Sequence, residues 1–265
     1  VATVFAVVNQ KGGVGKTTTV VNVAAFLAMA GQRVLIVDLD PQGNATSGLG
    51  IDKSAIGMRG KGLRPSVYDV LINEIPLRDA ILSTQIEGLA VVPANIDLAG
   101  AEQELVGRFS RETFAKRALD EVREDYDWVF IDAPPSLGLL TINALTAADS
   151  TLIPIQCEYY ALEGVSQLLQ TIDLVRKHLN PSLSIGMVVL TMYDNRVRSA
   201  QQVVTEVREA FKDKVAGAIV PRNVRLSEAP SHGMPVALYD PKSRGALAYK
   251  AIAQEVLRID KKRTR

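Results

Sequence analysis

Cysteine, histidine and aromatic residues are scarce in this chain: one Cys, two His and 5% aromatics in 265 residues. A single cysteine, Cys157, excludes an internal disulfide framework and a cysteine-rich metal site, and it fits a reducing cytoplasm. Neither His178 nor His232 pairs visibly with Cys157, so a small buried thiol is expected there, not a nucleophile. Charge of one sign is lacking too. The formal net charge is +1, so DNA binding, if any, must come from a local patch. No apolar stretch reaches about 18 residues without a charge, and no membrane span is expected. The opening V-A-T-V-F-A-V-V-N-Q has no basic segment ahead of its apolar run and reads as a strand, not a signal peptide. Internal repeats, low-complexity segments and a second domain are not apparent. A 47% apolar content at this length is enough for one large, well-buried domain.

The most informative stretch is Gln10 to Thr18, Q-K-G-G-V-G-K-T-T, between an apolar run at Val4 to Val8 and a helix-like segment at Val20 to Ala30. Gly12, Gly13 and Gly15 lack Cβ, so the backbone can curl and turn its N–H groups inward around a phosphate. A helix N-terminus adds unpaired donors and the positive end of its dipole. In such a cradle Lys16 reaches the β- and γ-phosphates and the Thr17 hydroxyl sits on Mg²⁺, with Lys11, Val14 and Thr18 completing the loop. Gln10 stands where the plain P-loop pattern has glycine, and Lys11 is a second lysine that one loop does not need.

Two carboxylate positions follow. Arg33 to Val37 is a β-branched run ending in D-L-D-P-Q-G-N-A-T, residues 38–46. Asp40, stiffened by Pro41 and Gly43, is a candidate to orient or deprotonate an attacking water, and also a possible Mg²⁺ partner through water. The competing reading is an Asx-turn or helix cap, more so for Asp38. Trp128 to Ile131 runs into D-A-P-P, the Walker B arrangement, with Asp132 holding a water ligand of Mg²⁺. The following S-L-G-L-L-T-I-N is read as a switch that senses the γ-phosphate.

Further strands are expected at Leu89 to Val92, Thr151 to Ile155, Ile185 to Leu190 and Ala218 to Val220. Helices are expected at 68–72, 77–82, 98–106, 113–123, 162–178, 201–211 and 246–259. T-M-Y-D at 191–194 lacks the Asn and Lys of a guanine-reading motif, which favours adenine by exclusion. Ile51 to Pro65 reads as a polar, basic surface loop. The alternation implies right-handed βαβ units and the α/β class: a single P-loop NTPase domain over 1–259, with a mostly parallel twisted sheet and helices on both faces. The basic tail at 260–265 is expected to fray.

K-G-G-V-G-K-T, D-L-D-P-Q-G-N-A-T-S-G-L-G, I-D-A-P-P-S-L-G-L-L-T-I-N-A-L, P-I-Q-C-E-Y-Y-A-L-E-G and P-R-N-V-R-L-S-E-A-P-S-H-G together resemble the ParA/Soj family of chromosome-partitioning ATPases. That family lies in the deviant Walker A, MinD-like superfamily, and the resemblance runs from Val4 to about Val256. Its one departure is a basic insertion near 57–65, and the N-terminal helix-turn-helix extension of the larger plasmid ParA proteins is not expected here. The resemblance implies ATP and Mg²⁺ as cofactors and a homodimer when ATP is bound, with Lys11 of each chain reaching the other's phosphates. It implies slow ATP hydrolysis stimulated by a ParB/Spo0J-type centromere-binding protein, non-specific double-stranded DNA as partner, no membrane, and a cytoplasmic, nucleoid-associated location. Lys11, Lys16 and Asp40 would carry catalysis. Pro221, Arg222 and Asn223 would meet the adenine. Arg196 and Arg225 match DNA-contact positions, with Arg198, Arg222, Lys242 and Arg244 as weaker additions. A MinD-like membrane-associated ATPase is the alternative, but A-I-A-Q-E-V-L-R-I-D-K-K-R-T-R is a poor amphipathic anchor.

Overall fold

The computed structural model describes residues 1–57, 64–158 and 161–263. The expected basic insertion at 57–65 lies largely outside these residues.

The strands are β1 (Thr3–Val7), β2 (Val34–Asp38), β3 (Leu82–Ser83), β4 (Leu89–Val92), β5 (Trp128–Asp132), β6 (Ser150–Gln156) and β7 (Ser184–Thr191). They form one sheet in the order β3-β4-β2-β5-β1-β6-β7. All pairs are parallel except β3 with β4. The helices are α1 (Lys16–Met29), α2 (Asn44–Gly48), α3 (Val67–Ile72), α4 (Ala101–Val106), α5 (Phe114–Asp120), α6 (Leu139–Ala147), α7 (Ala161–His178), α8 (Arg198–Phe211), α9 (Val224–Glu228), α10 (Val236–Tyr239) and α11 (Arg244–Arg263).

Alternation along each strand builds two cores. Val4, Ala6, Leu35, Val37, Val129, Ile131, Ile153 and Val188 face the layer made by α3 to α8. Phe5, Val7, Val34, Ile36, Trp128, Phe130, Leu152 and Val189 face α1 and α11. A strand buried on both faces needs apolar residues at successive positions, which is why these runs are continuous and not alternating. On the second face Phe5 stacks between Trp128 and Phe130, with ring centroids 6.1 and 5.7 Å away. The Thr19 hydroxyl lies 3.1 Å from that of Tyr249, joining α1 to α11.

Several expectations are corrected. Ala218 to Val220 is not a strand. The segment runs beside β7 through single bonds, Ala216 N to Val188 O at 2.9 Å and Val220 N to Leu190 O at 2.9 Å. Leu77 to Leu82 is a short 3₁₀ turn over Leu77–Ala80 followed by β3. The final helix continues to Arg263, past the expected end at Ile259. The first helix starts at Lys16, a full turn before Val20, so the phosphate-loop lysine and threonines belong to its first turn.

Gly186 marks the tightest approach in the sheet. A Cβ there would lie 2.6 Å from the Phe5 ring and 2.9 Å from Ser150 Cβ. The neighbouring β6–β7 register shifts at Thr151/Leu152. Gly186→Ala should therefore overpack the sheet and destabilise the fold by roughly 1–3 kcal/mol. Trp128, the chain's one tryptophan, is fully buried and serves as the fluorescence reporter in a denaturant titration. An unchanged midpoint would show that the strand pair can relax around the methyl.

Candidate nucleotide site

Strand order decides which loops meet. β1 sits between β5 and β6, and β2 lies beyond β5, so the segments leaving β1, β2 and β5 converge at the carboxyl edge of the sheet. Open parallel sheets bind ligands at such an edge. Asp38 and Asp132 are direct register partners across β2 and β5.

The glycine loop after β1 is fixed at both ends, by its own Asn9 bonded to β6 and by Thr191 from the end of β7. Asn9 donates to Pro154 O at 2.7 Å and accepts from Lys11 N at 3.0 Å. The Thr191 hydroxyl, at the end of β7, donates to Val14 O at 2.8 Å. Gly13 and Gly15 have φ of 73° and 91°, the left-handed region that a side chain would strain. Gly15 caps α1 with no side-chain hydrogen bond, and the first turn carries no acidic residue. The terminal N–H groups of α1 therefore present an anion-binding end.

Lys16 is buried, and its ammonium donates to Lys11 O at 3.3 Å. Burial pushes its pKa down, while Asp132 and Asp40 push it back up. Asp132 is fully buried, and neither of its carboxylate oxygens has a hydrogen-bond partner. Burial, followed by repulsion from Asp38, raises its pKa well above the usual carboxylate range, and the neighbouring Thr17 hydroxyl opposes the shift. A buried carboxyl with neither oxygen hydrogen-bonded is costly in either protonation state. Among the described residues no cluster of three or more His, Cys, Asp or Glu could cage a metal. One orphaned carboxylate beside a threonine hydroxyl instead fits a hard divalent cation that takes few protein ligands and shares phosphate oxygens.

Asp40 is 7% exposed and forms the Asx-turn considered as its plainer role: its Oδ1 accepts from Gln42 N at 2.9 Å. Its backbone is in turn set by Asp38, whose Oδ1 accepts from Asp40 N at 3.2 Å. The other Asp38 oxygen accepts from Thr46 N at 2.9 Å and from the Thr46 hydroxyl at 2.7 Å. Burial drives the Asp38 carboxyl up to about 6 despite these bonds. Gly43 has φ of 60°, and a Cβ there would strike Ala94 O at 2.8 Å, so this turn has little freedom.

Beside the loop, a cleft of about 250 Å³ is lined by Gly15, Thr18, Met192, Pro221, Asn223 and Tyr249 among others. Pro221 is placed by a bridge to Tyr193, and Arg222 N donates to Tyr193 O at 3.0 Å. Asn223 spends its side-chain oxygen capping α9, on Arg225 N at 2.9 Å. Lys11 stands at the outer rim, its ammonium 3.4 Å from Glu158, which also faces Arg222 at 3.6 Å. Cys157 is buried and its thiol is pushed up to about 11 by burial, in keeping with an inert structural thiol.

The arrangement is a glycine loop at a helix N-terminus beside a buried, unpartnered carboxyl, with a second lysine exposed at the rim. Comparison with known proteins agrees with it. A model of the AAA domain family matches residues 2–185. Sporulation initiation inhibitor protein Soj of Bacillus subtilis (strain 168) is 59% identical over 253 residues, covering 96% of this chain and 97% of that one. The chain belongs to the ParA/Soj family of P-loop ATPases. Chromosome partitioning protein ParA of Myxococcus xanthus, 53% identical over 98% of this chain and 89% of its own, is a second member. Among solved structures, cobyrinic acid a,c-diamide synthase from Mycobacterium smegmatis with bound ATP analog and magnesium matches at a TM-score of 0.84. It is 42% identical over 98% of this chain and 96% of its own.

For this ParA/Soj chain, sequence reading reached Lys11, Gly12–Thr18, Asp40, Asp132 and 221–223, and the fold gathers all of them at one sheet edge. It missed Asn9, Thr46 and Thr191. Thr191 directly follows the β7 apolar run, a position that could have flagged it.

The Asp38 carboxyl supplies a test. A carboxyl with a raised folded-state pKa favours folding only while protonated. Its contribution is intact below about pH 4, the unfolded value, and is lost as pH rises to about 6. Asp38→Asn removes the titration. Between those limits the unfolding free energy of the nucleotide-free wild type should fall by up to about 3 kcal/mol relative to the variant. Parallel profiles would show that Asp38 does not carry the shift.

Proposed function

We propose that the protein is an ATP-dependent DNA-segregation ATPase. ATP binding drives a sandwich homodimer that binds double-stranded DNA non-specifically. Hydrolysis stimulated by a ParB/Spo0J-type partner releases it, moving chromosomal or plasmid origin complexes over the nucleoid. The observation that carries the reading is the contrast between two lysines of one loop. Lys16 is buried in the cradle, whereas Lys11 is exposed at the rim, 3.4 Å from the equally exposed Glu158. A lysine facing outward is available to a second copy's nucleotide.

In this reading Lys16 and the N–H groups from Gly13 to Thr18 hold the phosphates. Thr17 and Asp132 would hold Mg²⁺, which would supply positive charge against the phosphate oxygens. Asp40, with its backbone set by Asp38, orients or deprotonates the attacking water. The cleft at Pro221, Arg222 and Asn223 receives the adenine. No described helix is long and apolar enough to cross a membrane.

DNA contact falls to Arg196 and Arg225, helped by Arg198, Arg222, Lys242 and Arg244, all exposed. Both leading arginines are ion-paired within the chain. Arg196 makes a two-point pair with Asp194 at 2.9 and 2.6 Å, holding that carboxyl at about 2. Arg225 lies 2.8 Å from Glu228 and 3.3 Å from Asp240. A phosphate must replace these carboxylates, so affinity per chain is modest and pairing of two chains matters.

Three variants separate the roles. Lys16→Ala should lose measurable ATP binding in calorimetry, because the β/γ-phosphates lose their cation; unchanged affinity would sink the cradle. Lys11→Ala should keep ATP affinity but fail to form ATP-dependent dimers in light scattering. Asp40→Ala should give a long-lived dimer that binds DNA and turns over slowly, and wild-type turnover would reduce Asp40 to its turn.

For DNA, binding to several unrelated duplexes should appear only with ATP and fall steeply with salt. Arg196→Ala and Arg225→Ala should each weaken all duplexes alike and lower the slope of log K against log salt by about 1. Sequence-dependent losses would contradict backbone binding.

A further inference from the structure

The segment that leaves β5 after Asp132 passes the phosphate loop and enters α6. Its start is tied to the sheet, Ala133 N donating to Val7 O at 3.3 Å. Pro135 then lies against the loop, its Cβ 3.9 Å from the position a Cβ on Gly12 would take. Two prolines leave the stretch without N–H groups at 134 and 135, so its path depends on where it is fastened next.

That fastening comes from α4. Glu102 Oε1 accepts from Leu140 N, in the first turn of α6, at 3.1 Å. Gly138 is the N-cap of α6 and supplies no side-chain cap of its own. The carboxylate lies so close to Gly138 that a Cβ there would fall within 2.9 Å of Glu102 Cδ. With no side chain at Gly138, the Glu102 carboxylate sits directly over the start of α6. A second tie, the Thr141 hydroxyl donating to Ser136 O at 2.7 Å, closes the turn from inside. The mount is firm, since Ala101 and Leu105 of α4 are buried in the core and the Tyr68 hydroxyl donates to Glu104 at 2.9 Å.

We propose that Glu102 is a positioning residue for ATP hydrolysis: capping α6 from α4, it fixes the 133–138 segment between the cation carboxylate Asp132 and the helix, and so holds Pro135 against the phosphate loop. The proposal rests on the ATPase reading above. The hydrogen bond that Glu102 makes is to the backbone of α6, and it acts through the 133–138 segment. Its effect is on the geometry of the transition state and not on ATP affinity, because the cradle's own ties, Asn9 and Thr191, do not involve it.

The test compares Glu102→Ala, Glu102→Gln and Asn180→Ala in the full chain. Asn180 caps the far end of α6 through Leu145 O, Thr146 O and Ala148 O and is a control for loss of helix stability. Glu102→Ala should lower kcat roughly tenfold or more with ATP affinity within about twofold, the pattern of a displaced group and not a lost contact. Glu102→Gln keeps an acceptor oxygen and should restore most of the rate. In the nucleotide-free protein, hydrogen exchange of the 136–141 amides should quicken roughly tenfold in Glu102→Ala and not in Asn180→Ala. Wild-type kcat in Glu102→Ala, an equal kcat loss in Asn180→Ala, or unchanged exchange at Leu140 would each overturn the proposal. A wild-type protein that hydrolyses no ATP would instead remove the ATPase reading itself.

Discussion

The carboxyl edge of the sheet is organised around two carboxyl groups that the protein buries side by side without a direct ion pair. Asp38 and Asp132 are register partners on adjacent strands, both fully buried, and burial raises the pKa of each. Asp38 at least accepts from Thr46 and Asp40, whereas Asp132 has no hydrogen-bond partner. Among the described residues the buried cation nearby is Lys16, itself weakened by burial. Such a cluster opposes folding, and the surrounding sheet has to hold it in place. Its chemistry is what a site for phosphate and a divalent cation requires: a fixed acceptor, a lysine and a helix end.

Topology supplies the preorganisation. The central place of β1, with β5 on one side and β6 on the other, sets the glycine loop over the crevice where the chain reverses its direction of winding. Neighbouring strand exits then become braces. Asn9 reaches across to β6, Thr191 reaches from β7, and Asp38 organises the turn carrying Asp40. Each of these braces fixes a backbone of the proposed site, and Thr191 also lines the cleft beside the loop.

Much of this was legible in the sequence, for physical reasons. Strands buried on both faces must be continuous apolar runs, so V-L-I-V and W-V-F-I announced themselves, and carboxylates placed right after them fell at the functional edge. A glycine loop between such a run and a helix has few other uses. The helix start at Lys16 was harder, because its first turn is polar: it serves a ligand and not the core. The segment before Pro221 looked like a strand by composition, but its bonds to β7 are too irregular for one. Asn9, Thr46 and Thr191 were missed because each acts on a backbone group far away in the sequence, and no local pattern records such a pairing. The ion pairs of Arg225 had the same obstacle in part, since Asp240 approaches from another segment.

Those pairs bear on how nucleotide state can govern DNA affinity. Counting arginines overstates the charge a monomer offers. Arg196 already faces Asp194, and Arg225 already faces Glu228 and Asp240, so in the proposed function a DNA phosphate would gain only the difference between two anionic partners. A formal net charge of +1 adds little long-range attraction. Binding built from such small differences is weak per chain but multiplies when two chains present their arginines on one rigid body, since affinity follows the number of phosphates neutralised together. Stronger, unpaired cations would hold DNA in every state. In the proposed cycle the weakness of each contact is therefore what lets loss of the dimer release the DNA.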